Sequence, residues 1–318
     1  MMAPGFWQRD GFWSRALAPV GAMVAGVTAR RVRRAGWRAP VPVICCGNAS
    51  VGGAGKTTLA LDIGARLRAR GVAVHFISRG YGGGVRGTRL VEAGQDGSAL
   101  VGDEPLLLAG VAPTWVGADR AASARAAVAA GAQALVMDDG LQNSGLVQDL
   151  GLLVIDGAAG FGNGRVMPAG PLREPVLAAA GRCRAAVLIG MDQRGARAAL
   201  PRGLPVLEAW LVPERAMPGR RVVAFAGIAR PAKFHATLLQ AGAEVVATVD
   251  FPDHHEFRVR ELEAVMAQAR ALEAVAVTTP KDAVRLPPEW RERVETIGVG
   301  LAWADEAALE HLLREVVA

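Results

Sequence analysis

Between residues 41 and 191, short apolar runs alternate with segments whose apolar residues recur three and four apart. The runs are VPVICCGN (41–48), VAVHFISRG (72–80), QALVMDDG (133–140), LGLLVIDG (150–157) and AAVLIGM (185–191). Each is too short and too continuously apolar for an amphipathic helix and reads as a buried strand. Between them, TTLALDIGARLRAR (57–70) places Leu59, Ile63 and Leu67 on one helical face before Gly71, and RAASARAAVAAGA (120–132) is Ala-rich and helical. Strand–helix alternation predicts an α/β chain with a doubly wound, mostly parallel sheet, its ligands at the carboxyl ends of the strands.

The Pro-containing stretch LVPERAMPGR (211–220) reads as a boundary. Beyond it RVVAFAGIARP, AEVVATVDFPDHHEF and AVAVTTPKDAVRL repeat the alternation on a smaller scale, and EAALEHLLREVVA closes with Leu309, Leu312, Leu313 and Val316 on one helical face. Three segments are expected: a terminal segment 1–40, a main domain 41–215 and a smaller α/β lobe 216–318, with a cleft between the lobes.

Charge changes the picture only at the start of the chain. The protein carries 36 Lys+Arg against 30 Asp+Glu, and the whole excess of +6 is matched by residues 1–40, with seven arginines and one acid, Asp10. A nucleic-acid binder would show a basic face on its folded body, which the balanced remainder does not offer. The same segment holds Trp7, Trp13, Trp37, Phe6 and Phe12 around LAPVGAMVAGVTA (17–29) and RRVRR. Thirteen mostly apolar residues are too few to span a bilayer, and the arginines follow the apolar stretch, unlike a signal peptide. Two readings stand: a segment lying on an anionic membrane surface, or a helix packed on the protein's own core. Three cysteines without a CxxC pair argue against a disulfide framework or structural zinc and fit a reducing compartment.

The stretch SVGGAGKTT (50–58) carries the chemistry. A strand, a glycine-rich turn and Gly55-Lys56-Thr57 opening a helix form a P-loop, so the fold expected is of P-loop NTPase type (α/β/α). Backbone N–H groups over Ser50, Val51, Gly52, Gly53, Ala54, Gly55, Lys56, Thr57 and Thr58 are candidates to cradle a nucleoside triphosphate. Lys56 suits the β- and γ-phosphates, and the Thr57 hydroxyl suits Mg²⁺. The strict pattern wants Gly where Ser50 stands, but the strand–loop–helix context is intact. Only three lysines (Lys56, Lys233, Lys281) occur against 33 arginines, so the loop lysine is a selective use of a compact charge. Asp138 and Asp139, ending an apolar strand, are candidate metal ligands.

These stretches stand beside ISRGYGG (77–83), GDEPLLLA (102–109), VMDDGLQ (136–142), GFGNGRVMPAGPLREP (160–175), FPDHHEF (251–257) and VTTPKDAVRL (277–286). In this order the series resembles the tetraacyldisaccharide 4'-kinases, which phosphorylate a disaccharide lipid A precursor. The resemblance implies ATP and Mg²⁺, transfer of the γ-phosphoryl group to the 4'-hydroxyl of the distal glucosamine, and a place on the cytoplasmic face of the inner membrane. It puts the catalytic aspartate on Asp103, with Glu104 near the metal, and the partner histidine on His254, with His255 as its rival. From the residues alone, Asp103 is also placed to cap the helix that Pro105 opens, and one residue could do both. The 160–175 stretch falls at the acceptor site, with Asn163, Arg165 and Arg173 as candidate ligands, guanidinium forks being suited to a phosphate. Tyr81 is assigned to loop structure near the nucleotide, and Lys281 and Asp282 to the cleft wall. Family members usually carry His and Arg where this chain has Asn143 and Gln148.

A nucleotide-driven switch or metallochaperone built on the same loop is the rival class. The guanine-reading N-K-x-D motif is absent, TPKD (279–282) being the nearest stretch, and there is no Cys/His metal cluster. A soluble small-metabolite kinase would leave the Trp/Arg terminus without a purpose. Oligomeric state and acyl-chain length are not legible in the chain.

Overall fold

Along Val43–Gly47 the side chains of Val43 and Cys45 enter one apolar cluster and those of Ile44 and Cys46 another. The strand is therefore covered by helices on both faces, as a parallel sheet requires. The computed structural model describes residues 4–317; Met1–Ala3 and Ala318, the ends of two of the expected segments, lie outside the described residues. Thirteen strands are present among them. They are β1 (Val43–Gly47), β2 (Val74–Ser78), β3 (Thr88–Leu90), β4 (Thr114–Gly117), β5 (Ala134–Asp138), β6 (Leu150–Asp156), β7 (Ala185–Ile189), β8 (Val206–Pro213), β9 (Arg221–Ala226), β10 (Glu244–Asp250), β11 (Val275–Thr278), β12 (Glu295–Thr296) and β13 (Val299–Trp303).

Nine strands form one sheet in the order β13-β8-β7-β6-β1-β5-β2-β4-β3, and four form a second in the order β10-β9-β11-β12. The large sheet is parallel from β8 to β4, with antiparallel edges β3 and β13. The chain runs from β1 to one side and returns through β5 to the other. This reversal leaves a crevice above the carboxyl end of β1, the place where doubly wound sheets bind ligands. The helix Lys56–Ala69 starts there, and its Leu59, Ile63 and Leu67 are fully buried against the sheet.

The two lobes are joined by two strands. β8 leads out of the large sheet and β13 leads back, paired antiparallel with Leu301 opposite Leu211. The stretch read as a boundary thus begins inside β8, and the expected lobe 216–318 ends too late. After β13 the closing helix Glu306–Arg314 packs Leu309 and Leu313 into the core of the large lobe. Arg66, braced by Asp62 of its own helix, ties the closing helix down through Glu306 and Glu310. Sequence periodicity identified the helix, but its partner lies some 240 residues upstream, beyond any local pattern.

The N-terminal segment packs on the body along one side and is exposed on the other. Helix Ala18–Val32 presses Gly21 so closely on the 160–175 loop that a Cβ there would sit 2.6 Å from the Val166 carbonyl oxygen. Upstream, the Trp7 indole donates to the Pro168 carbonyl at 3.0 Å. The opposite side points outward, with Phe12 76 %, Trp13 62 %, Met23 71 % and Val27 67 % exposed. Among the described residues, no helix is long and apolar enough to cross a membrane.

Candidate active site

The phosphate loop runs from β1 to the helix at Lys56, with Gly55 at φ +87°, in the left-handed region that glycine favours. Its first half is stitched to the 165–175 loop: Val51 N–H donates to the Pro171 carbonyl at 2.8 Å, Arg173 N–H to the Ala49 carbonyl at 2.7 Å, and Ser50 bridges Leu172. The Val51 amide is therefore spent on the fold, and of the expected cradle Gly52 and Gly53 are exposed while Ala54 is buried. Lys56 folds back over the loop, its Nζ 3.5 Å from the Gly52 carbonyl and 3.8 Å from Asp139. Thr57 and Thr58 follow in the first helical turn.

The two acids at the end of β5 have different surroundings. Thr57 Oγ1 donates to Asp138 Oδ2 at 2.9 Å, while Asp138 Oδ1 is buried with no hydrogen-bond partner. Burial, reinforced by the charge of nearby Glu104, pushes the Asp138 carboxyl up to about 7. Burial also acts on Asp139, but Lys56 and Arg173 outweigh it and hold that carboxyl below its usual range. Asp139, at φ +51°, receives both arms of the Arg173 guanidinium at 2.7 and 3.0 Å. The expected pair of metal acids is thus divided: Asp138 has an unpartnered oxygen, and Asp139 is an ion-pair partner.

Asp103 begins the helix Asp103–Ala109, whose cap position is Gly102, and its side chain makes no capping bond. The capping alternative falls, because the carboxylate faces the other lobe. His254 Nδ1 lies 2.9 Å from Asp103 Oδ2 and Arg285 Nε 3.6 Å from the same oxygen. With Asp103 ionised, Nδ1 carries the imidazole proton and donates it. His255 is turned away, 2.8 Å from Glu261 and stacked on Phe251 at 4.7 Å. Lys281 Nζ stands 3.9 Å from Glu104 across the lobes. Asp282, expected on the cleft wall, is instead fully buried. Tyr81 is exposed on its loop.

The three expected acceptor ligands are not brought together. Arg173 is in the cleft, on Asp139 and Gln142. Arg165 pairs with Asp10 at 2.9 Å, and Asn163 donates to the carbonyls of Phe6 and Ala169. Those two residues hold the N-terminal segment on the body. Asn143 and Gln148 also have structural partners, the Gly145 amide and the Gly140 carbonyl respectively.

Sequence reasoning missed two further groups. Asp156, at the end of β6, receives Lys233 at 3.1 Å and Arg230 at 3.4 Å from the second lobe. Beside it a cavity of about 280 Å³ is lined by Gly53, Gly55, Asp156, Ile189, Trp210 and Lys233. Arg285 was missed as well, although its i,i+3 spacing from Asp282 was a readable signal. Among the described residues no three His, Cys, Asp or Glu side chains converge into a ready metal cage.

The lobes therefore bring together a glycine cradle with a lysine, an acid with an unpartnered oxygen beside a threonine hydroxyl, and an Asp–His couple. A family model described as tetraacyldisaccharide-1-P 4'-kinase (LpxK) matches residues 13–318. The chain is 59 % identical to the tetraacyldisaccharide 4'-kinase of Gluconacetobacter diazotrophicus, over 98 % of this chain and 97 % of that one. It is 51 % identical to the protein of the same name from Rhodospirillum centenum, over 100 % and 97 % of the two chains. Its fold is similar to that of LpxK from Aquifex aeolicus, solved in complex with ATP, with a TM-score of 0.77 over 96 % of this chain and all of that one at 24 % identity. On the family match and the two relatives, the chain belongs to the tetraacyldisaccharide-1-P 4'-kinase family.

Proposed function

We propose that this protein transfers the γ-phosphoryl group of ATP to the 4'-hydroxyl of a tetraacyldisaccharide 1-phosphate, with Asp103 and His254 handling the proton of that hydroxyl. The observation that carries the reading is the 2.9 Å contact of His254 with Asp103, made across the lobes beside the phosphate loop. Glu104, next in the chain, is close enough to Asp138 to shift it, so the couple and the loop share one cleft.

A sugar hydroxyl is a weak nucleophile until its proton has somewhere to go. Asp103 accepts that proton as the phosphoryl group moves, and the imidazole N–H holds the carboxylate in place. Lys56 and the loop amides bind the β- and γ-phosphates. The cavity beside Trp210 is the natural seat for the base. Arg173, freed from Asp139 when phosphates arrive, is the cleft arginine best placed to meet a phosphoryl group or the acceptor.

Mg²⁺ fits the residues present, because Asp138 Oδ1 is buried and unpartnered beside the Thr57 hydroxyl. Mg²⁺ keeps few protein ligands and takes the rest from phosphates and water, so a preformed cage is not needed. Thr57, Asp138 and Glu104 would hold it, and it would neutralise charge on the β- and γ-phosphates.

The acceptor is a lipid, so the enzyme works at the cytoplasmic face of the inner membrane. The exposed Phe12, Trp13, Met23 and Val27 with the flanking arginines support an interfacial anchor that favours anionic lipid. The test is incubation with Mg·ATP and the detergent-dispersed disaccharide 1-phosphate. New phosphate on the distal sugar supports the reading; release of inorganic phosphate with no phosphorylated lipid refutes it.

A further inference from the structure

The stretch VTTPKDAVRL (277–286) hides its two strongest charges. The Asp282 side chain is fully buried and that of Arg285 is 3 % exposed. A buried ion pair is weak evidence for stability, since desolvation offsets its attraction. What this pair touches is more telling. Arg285 donates to Asp282 at 2.6 Å, to the Gly227 carbonyl at 3.0 Å and to the His255 carbonyl at 2.9 Å, with its Nε 3.6 Å from Asp103. Gly227 in turn accepts the His254 amide at 3.1 Å and donates its own N–H to Asp282 at 3.0 Å. One guanidinium thus reaches the carboxylate of the first lobe and the backbone next to His254 in the second.

His254 needs such a frame. Its φ of +59° is unusual for a residue with a side chain, and such strain persists where the surroundings over-determine it. Asp282 is itself anchored, accepting from the Thr279 hydroxyl at 2.7 Å. The chain runs from a buried cap through an ion pair to the loop that delivers the imidazole.

We propose that Arg285, locked by Asp282, is a positioning residue that sets the His254 loop against Asp103. The inference rests on the assignment of Asp103 and His254 as the proton-handling couple. Asp103 is faced by His254 and Arg285 from the second lobe, with Asp282 behind Arg285, and by its neighbour Glu104, which Lys281 approaches.

The test is initial-rate kinetics of the full-length enzyme and its Arg285→Gln, Arg285→Lys and Asp282→Asn variants, with melting temperatures measured alongside. Arg285→Gln should lower kcat about 10²-fold through misplacement. Arg285→Lys should recover only part of that loss, because a point charge cannot span the same acceptors. The KM for ATP should hold in all three, since the phosphate loop belongs to the other lobe. In an Asp103→Ala background Arg285→Gln should add little to the loss, because it acts through that couple. A wild-type kcat in folded Arg285→Gln, or the full further loss in the Asp103→Ala background, overturns the inference. If Arg285→Gln fails to fold, a wild-type kcat in Arg285→Lys is sufficient to do so. Asp103→Ala and His254→Ala separate the two levels. Wild-type rates there would remove the couple itself, whereas slow rates there with wild-type kcat in the Arg285 variants would remove only the role of Arg285.

Discussion

His254, on a loop of the small lobe, sits 2.9 Å from Asp103, on the first turn of a helix in the large lobe. Some 151 residues separate them in the chain, and the β8–β13 pair is what returns one lobe to the other. His254→Ala should therefore lower kcat by roughly 10² to 10⁴, the span for a lost proton-transfer partner, with ATP KM nearly unchanged. His255→Ala should leave kcat within a few-fold, because that ring serves Glu261 and Phe251. Initial-rate kinetics on both variants decide between the adjacent imidazoles.

Asp138 makes stability depend on pH. Its carboxyl ionises near 3.8 in the unfolded chain and at about 7 in the folded one. The folded protein therefore holds the extra proton between these values. The stability so gained is complete below the unfolded value and is lost as pH rises through about 7. Asp138→Asn copies the neutral form, so without nucleotide or metal its melting temperature should exceed that of the wild type increasingly as pH rises. Identical melting curves at alkaline pH would contradict this.

The closing helix is core to the large lobe. Leu313 is fully buried among side chains of the phosphate-loop helix and the sheet. Leu313→Ala should cost about 2 to 5 kcal/mol in urea titration, the range for a large-to-small core change. A loss below about 1 kcal/mol would place this helix outside the core.

The outward side of the N-terminal segment should govern membrane partition. Trp13→Ala with Met23→Ser removes exposed apolar surface without touching Gly21 or Trp7, which hold the segment on the body. Co-sedimentation with anionic vesicles should fall, while turnover of detergent-dispersed acceptor holds. Unchanged sedimentation would remove the anchor role.

The central strands, the phosphate-loop helix and the final helix were legible because their burial follows local periodicity, as Leu59, Ile63 and Leu67 do. Strands β3, β4, β8, β12 and β13 were not. β3 is short and exposed, β8 lay under a proline-marked boundary, and β13 is defined by a partner 86 or more residues away. The phosphate loop was read from spacing alone. Asp103 and His254 needed a family resemblance, because nothing local to GDEP or DHHEF says they will meet. Arg165 and Asn163 misled for the converse reason: a glycine-rich loop with polar side chains looks like a ligand site, yet these two hold the chain's own N-terminus.

If Asp103 and His254 act as one unit, their losses cannot multiply. Pre-steady-state phosphoryl transfer in Asp103→Ala, His254→Ala and the double variant tests this most directly. The double variant should be no slower than the slower single one, as for residues that work as a unit. Losses that multiply would mean that the two groups act independently, and the Asp–His couple would not be the device that deprotonates the sugar hydroxyl.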